Sequence, residues 1–166
     1  MSGRQKSSNI SLIVGGASAA IQAIVIFTSG SPYSVAHTVA SLNFIPPVWI
    51  WCLTLIIDAF LLGYAFGNVF FELSSGKPHR ESEVRAYQGG MFFTAACLLS
   101  FIHYPLFFIQ QKFFMSLIIS LLILCLSCLC IFFWRKVSFI SCAAIFIHSS
   151  WTAYVFLANG YVVFTI

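Results

Sequence analysis

The placement of charge limits this fold most. Eight Lys and Arg and four Asp and Glu are spread over 166 residues, and nearly all are gathered into clusters. Arg4 and Lys6 stand near the N-terminus. Glu72, Lys77, Arg80, Glu81, Glu83 and Arg85 crowd one segment, Lys112 is alone, and Arg135 and Lys136 are adjacent. Cutting at these clusters leaves five apolar runs: about Ile10–Ser29, Pro47–Phe71, Gln88–Ile109, Phe113–Trp134 and Val137–Val163. Each reaches the roughly 20 residues that a helix needs to cross a bilayer. Soluble domains are about 25% charged, whereas this chain is 7% charged and 60% apolar. A water-soluble fold would expose large apolar patches and aggregate. The expectation is an all-α integral membrane protein, a single membrane domain over residues 1–166, built as a bundle of five transmembrane helices.

With five spans, the N-terminus, the loop at 73–87 and the turn at 135–136 share one side. That side carries seven of the eight Lys and Arg, and Lys112 stands opposite. The positive-inside bias puts the N-terminus on the cytoplasmic or equivalent side. No basic stripe interleaves with exposed aromatics, which argues against a nucleic-acid partner. A signal peptide is the alternative for the first run, but the sequence stays apolar through "IQAIVIF", beyond any cleavage point. The "NIS" at Asn9 fits a glycosylation pattern on the wrong side of the membrane.

All six cysteines fall within the apolar runs. The CxxC within "CLSCLC" lacks a loop that would let thiolates converge on a metal, so small packing residues are the plainer reading. Gly15, Gly16, Ala19, Ala20 and Ala23 in the first run, and Gly63 and Gly67 in the second, form small-xxx-small pairs. Such pairs let helix backbones approach closely in lipid. They serve either the bundle or a homodimer. The semi-polar stretch 30–45, ending at Pro46 and Pro47, reads as a cap over the mouth of the bundle.

One charge breaks the pattern. Asp58 lies inside the second apolar run, where a carboxylate costs roughly 2.5–3.5 kcal/mol on insertion scales. It should face the bundle interior and find a partner. Leu55, Asp58, Ala59 and Leu62 share a helical face. A ligand, proton or metal site is one reading, and a protonated carboxyl bonded to a neighbouring helix is the other.

The later runs carry a known order of motifs. "PPVWIW" is followed by "LLGYA", then "HYPLFF", "FWRKVS" and "SSWTAYVFLANGY". Together these resemble the TspO/MBR family of tryptophan-rich sensory proteins and the mitochondrial translocator protein, over roughly residues 44–160. A Pro-Pro pair opens the second helix and Gly63-Tyr64-Ala65 follows. His103-Tyr104-Pro105-Leu106-Phe107-Phe108 matches the family's Trp-Ser-Pro-Leu-Phe-Phe-like end of the third helix. Trp151 and Asn159 match a Trp and an Asn in the fifth. The resemblance implies a five-helix bundle that binds porphyrins and other lipophilic molecules, in a mitochondrial or bacterial membrane. The chain departs from the pattern at Ser100 and His103, where the family usually has Asn and Trp. It departs again at Ile147 and His148, where Pro-Tyr is usual, and at Leu55 and Ala59, where Trp and Tyr are common. The tryptophan-rich first loop is reduced to Tyr33 and Phe44.

His103 and His148 thus replace cavity aromatics. With Asp58 they form a candidate cluster for binding a metal, ligating haem iron or relaying protons; the other reading is two separately hydrogen-bonded buried histidines. His37 and His79 read as solvated loop residues. Trp49, Trp51, Trp134 and Tyr33, near helix ends, read as an interfacial belt, and Trp151 as a ligand wall. No Gly-x-Ser-x-Gly, HExxH or phosphate-binding loop is present, so no enzyme is expected. The function expected is binding of a hydrophobic or amphipathic ligand (a porphyrin or haem, a sterol, a lipid) for transport, sensing or sequestration. The candidate site is Asp58, His103, His148, Trp151 and Asn159, with Pro46 and Pro47 shaping its mouth. The alternatives are an accessory subunit of a larger membrane complex and a small proton- or ion-coupled transporter built on Asp58.

Overall fold

A computed structural model of the chain describes residues 3–28, 47–74 and 80–165. Five helices fill them: α1 Gly3–Thr28, α2 Val48–Ser74, α3 Arg80–Phe108, α4 Phe113–Trp134 and α5 Phe139–Thr165. All five are long and apolar enough to cross a membrane. Large apolar side chains such as Phe27, Phe139 and Phe164 are exposed on the outside, where lipid tails take the place of water. Pro46, the 30–45 stretch with Tyr33, His37 and Phe44, and His79 lie outside the described residues.

Two helix starts differ from the expectation. α1 is helical from Gly3, ahead of the apolar run. α3 begins at Arg80, so the charged half of the segment expected as a loop at 73–87 is helical. Glu81 and Glu83 lie in its first turn, where carboxylates complement the positive end of the helix dipole. Arg85 donates to Glu81 Oε1 from Nε at 3.0 Å and from Nη2 at 2.8 Å, one turn away. A loop-like composition is here the polar first turns of a membrane helix.

Helix order around the bundle is α1, α2, α5, α4, α3, each packed on the next, while α2 and α3 meet only thinly. The α3–α4 connection is tight. Pro105 ends the regular pattern of α3, its carbonyl accepting from the amides of Ile109 and Gln110. Gln111 takes a left-handed conformation with φ 52°.

The α1–α2 seam is built on missing side chains. A Cβ on Gly67 would sit 2.8 Å from Ser11 Cα, and one on Gly15 3.0 Å from the Phe60 carbonyl oxygen. A Cβ on Gly63 would run into the Ser18 side chain and stand 2.8 Å from the Val14 carbonyl oxygen. The GxxxG pair therefore works inside the chain, and this removes the motif as a basis for a homodimer. On the far side of the bundle, Gly89 gives the same clearance to Trp134, which is wholly buried and donates from Nε1 to the Ala86 carbonyl at 3.2 Å. Trp134 is thus a tie between α3 and α4 rather than part of an interfacial belt. Trp51 is 2% exposed and also belongs to the core, whereas Trp49, 66% exposed, has the exposure of a belt residue.

The seam predicts a contrast between glycines. Gly63→Leu should lower stability in detergent by about 1–3 kcal/mol or more through overpacking. Gly16→Leu, at a position with nothing within 4 Å, should stay within about 0.5 kcal/mol. Unfolding titrations of the two variants make the comparison, and equal losses would contradict the seam.

Candidate functional site

Asp58 sits near the middle of α2, where its helix meets α5. Both of its carboxylate oxygens lie against Nδ1 of His148, at 2.9 and 2.8 Å. The His148 side chain is 4% exposed and that of Asp58 14%. An isolated carboxylate in hydrocarbon is costly, and a charge-assisted hydrogen bond from a ring N–H offsets part of that cost. One turn along α5, Thr152 Oγ1 stands 3.4 Å from His148 Nε2 and donates to the His148 carbonyl at 2.9 Å. A polar line therefore runs from Asp58 through the ring to Thr152.

His103 belongs to a second network. Its Nε2 lies 2.8 Å from Ser116 Oγ and 3.0 Å from Asn159 Nδ2. Asn159 also donates to Ser120 Oγ at 3.3 Å. These contacts tie α3, α4 and α5 together through wholly buried Ser116, Ser120 and Asn159. Two buried polar atoms have no hydrogen-bond partner among the described residues, Tyr104 Oη and Asn159 Oδ1.

Two cavities adjoin these networks. The larger, about 270 Å³, lies between α1, α2 and α3, where α2 and α3 meet thinly. Leu55, Asp58, Ala59 and Leu62 all line it, so the face picked out by helical spacing is the face that borders it. The smaller, about 50 Å³, lies deeper, against His103, His148, Trp151 and Thr152. Its size suits one or two waters. Leu55, Asp58 and Ser100 line both and so form the wall between them. Trp51 and Trp151 meet edge to face at 5.5 Å, and Trp151 stacks on Tyr154 at 5.3 Å.

Of the residues expected to form the site, Asp58 and His148 converge. His103 lines the same small cavity but bonds to Ser116 and Asn159, so the Asp–His–His cluster is corrected to a pair and a separate histidine. Among the described residues, no three His, Cys, Asp or Glu side chains come together as a metal-ligand set. His148 has Nδ1 on Asp58 and Nε2 3.4 Å from Thr152 Oγ1, and Nε2 of His103 faces Asn159 and Ser116. Trp151 lines the small cavity. Asn159 lines neither cavity and holds His103 instead. Pro47 also lines neither; it is exposed, and its carbonyl accepts from the amides of Ile50 at 2.9 Å and Trp51 at 3.2 Å, opening α2. Pro46 lies outside the described residues.

The sequence reading missed Ser116, Ser120 and Thr152. Their signal was present: Thr152 is four residues from His148, and Ser116 and Ser120 are four apart, so each pair shares a helical face.

The family model of TspO/MBR matches residues 10–164. The chain belongs to the TspO/MBR family. No curated protein and no solved structure matches it. Family membership and five apolar helices make it a multi-pass integral membrane protein of the TspO/MBR family.

The pairing of Asp58 with His148 sets an asymmetry. His148→Ala strands a carboxylate in the bundle and should cost about 3–5 kcal/mol, as for other broken buried pairs. Asp58→Asn keeps an acceptor for the ring N–H and should cost less, about 1–2 kcal/mol. A double-mutant cycle on unfolding in detergent checks this, and a coupling energy near zero would show that the two side chains do not interact.

Proposed function

We propose that this TspO/MBR protein binds a small hydrophobic or amphipathic molecule taken from the bilayer, for transport, sensing or sequestration. The observation that carries the reading is the cavity of about 270 Å³ between α1, α2 and α3. It is walled mainly by apolar side chains, and among the described residues Asp58 is its one charged group. Ligand sites in proteins combine such apolar walls with a few polar groups that fix orientation. The thin contact between α2 and α3 supports entry from the side, from lipid, rather than from water.

The volume favours a slender molecule. Drug-sized ligand pockets run from about 300 to 1,000 Å³, so a single aliphatic chain or a small ring system suits this cavity. A sterol or a tetrapyrrole requires the helices to part. The positive-inside bias supports an N-terminus on the cytoplasmic or equivalent side, and the family supports a mitochondrial or bacterial membrane.

A second reading has its own observation. The line Asp58–His148–Thr152 joins a carboxylate, an imidazole and a hydroxyl across α2 and α5. Chains of this kind carry protons in transporters. Proton-coupled movement of the ligand is therefore the alternative to simple binding.

Trp51 and Trp151 line the neighbouring small cavity and provide the readout. Titration of the purified protein with a fatty alcohol, a sterol and a porphyrin should give saturable quenching at micromolar concentration for at least one of them. Ala59→Phe, which fills the larger cavity, should weaken that binding at least tenfold. Absence of saturable quenching by all three would overturn the reading.

A further inference from the structure

We propose that the ligand of the larger cavity is a lipophilic amine, whose ammonium group pairs with Asp58 while its apolar part lies along α1, α2 and α3. This rests on the cavity reading above and adds the chemistry of the head group.

Part of the hydrogen-bonding capacity of Asp58 is still open. Asp58 accepts from one ring nitrogen, shared between its two oxygens, whereas a carboxylate offers about four lone-pair sites. It is also the more exposed partner of the pair and lines the cavity. The other polar groups on the cavity wall are Ser18, Gln22, Cys97 and Ser100. Ser18 donates its hydroxyl hydrogen to the Val14 carbonyl at 3.0 Å, and Ser100 donates to Ala96 at 2.9 Å. Each serine has used its donor on its own helix and has only lone pairs left. Among the described residues the wall therefore presents one carboxylate and two hydroxyl acceptors, with the Gln22 amide as its one strong side-chain donor group.

An ammonium group has three donors and no acceptor, which complements this wall. A carboxylate or phosphate head group meets the opposite: repulsion from Asp58 and, beyond Gln22, no strong donor. Among the described residues no Lys or Arg lines either cavity. An ammonium group and the Asp58 carboxylate would meet in largely apolar surroundings. There their attraction is far less screened than in water. Phe66, Phe93 and Phe101 also line the cavity, and aromatic rings attract cations.

The test uses three probes of one size: 4-phenylbutylamine, 4-phenylbutanol and 4-phenylbutyrate. They are titrated by tryptophan fluorescence into the full-length protein in nanodiscs of zwitterionic lipid. The amine should bind at least tenfold tighter than the alcohol, and the carboxylate more weakly than both. Asp58→Asn should remove the amine's advantage over the alcohol, and saturable binding of the alcohol to that variant shows that it is folded. The wild-type ranking tests the proposal even where that variant fails to fold. Amine and alcohol binding equally to wild type, with both lost in Ala59→Phe, would overturn the cationic head group and keep the cavity as a binding site. No binding by any probe would overturn the cavity reading, and this proposal with it.

Discussion

A carboxylate held inside a membrane bundle is the constraint on which the rest of this structure depends. Asp58 cannot face lipid, so α2 must turn that side chain inward and another helix must answer it. His148 on α5 does so, with Nδ1 within 2.9 Å of both carboxylate oxygens. The bond fixes the α2–α5 contact at mid-depth. From there α1 follows α2 as a close-packed pair, and α4 and α3 follow α5. The order stays open between its ends, α3 and α1, and α3 meets α2 only thinly; the larger cavity lies among these three helices.

Each seam uses a different device, because burial from water does not drive helix association in lipid. Between α1 and α2 the device is the absence of side chains at Gly15, Gly63 and Gly67. Between α3 and α4 it is Trp134 lying on Gly89 and bonded to the Ala86 carbonyl. Where α3, α4 and α5 meet it is the buried network of His103, Ser116, Ser120 and Asn159. These networks pin the bundle on the side away from the opening. Where α3 faces α1 and α2 there are fewer such ties.

Much of this was legible in the sequence, for physical reasons that can be named. The spans follow from charge placement because hydrocarbon tolerates so little charge. The cavity face of α2 follows from helical spacing around Asp58, since a residue that must point inward carries its neighbours at three and four residues with it. The need of Asp58 for a partner follows from cost alone. Which of two histidines would answer it did not follow, because that depends on how α3 and α5 are rotated against α2, and no local pattern sets this rotation. Trp134 and Trp51 read as interfacial because they stand near helix ends. Their burial comes from neighbours distant in sequence, Gly89 in one case and Phe107, Phe108 and Trp151 in the other. The charged start of α3 read as a loop because its composition is polar, yet Glu81, Glu83 and Arg85 are placed as a helix N-terminus favours.

Asp58 is held at the cavity wall by His148 and not by His103. Solid-state NMR on the protein in lipid bilayers, with ¹⁵N-labelled histidine and ¹³C-labelled aspartate, measures this directly. A dipolar contact between Nδ1 of His148 and the side-chain carboxyl carbon of Asp58, at about 4 Å or less as a hydrogen bond requires, is the predicted result. A carboxyl carbon that shows no contact with His148, or that contacts His103 instead, would contradict it.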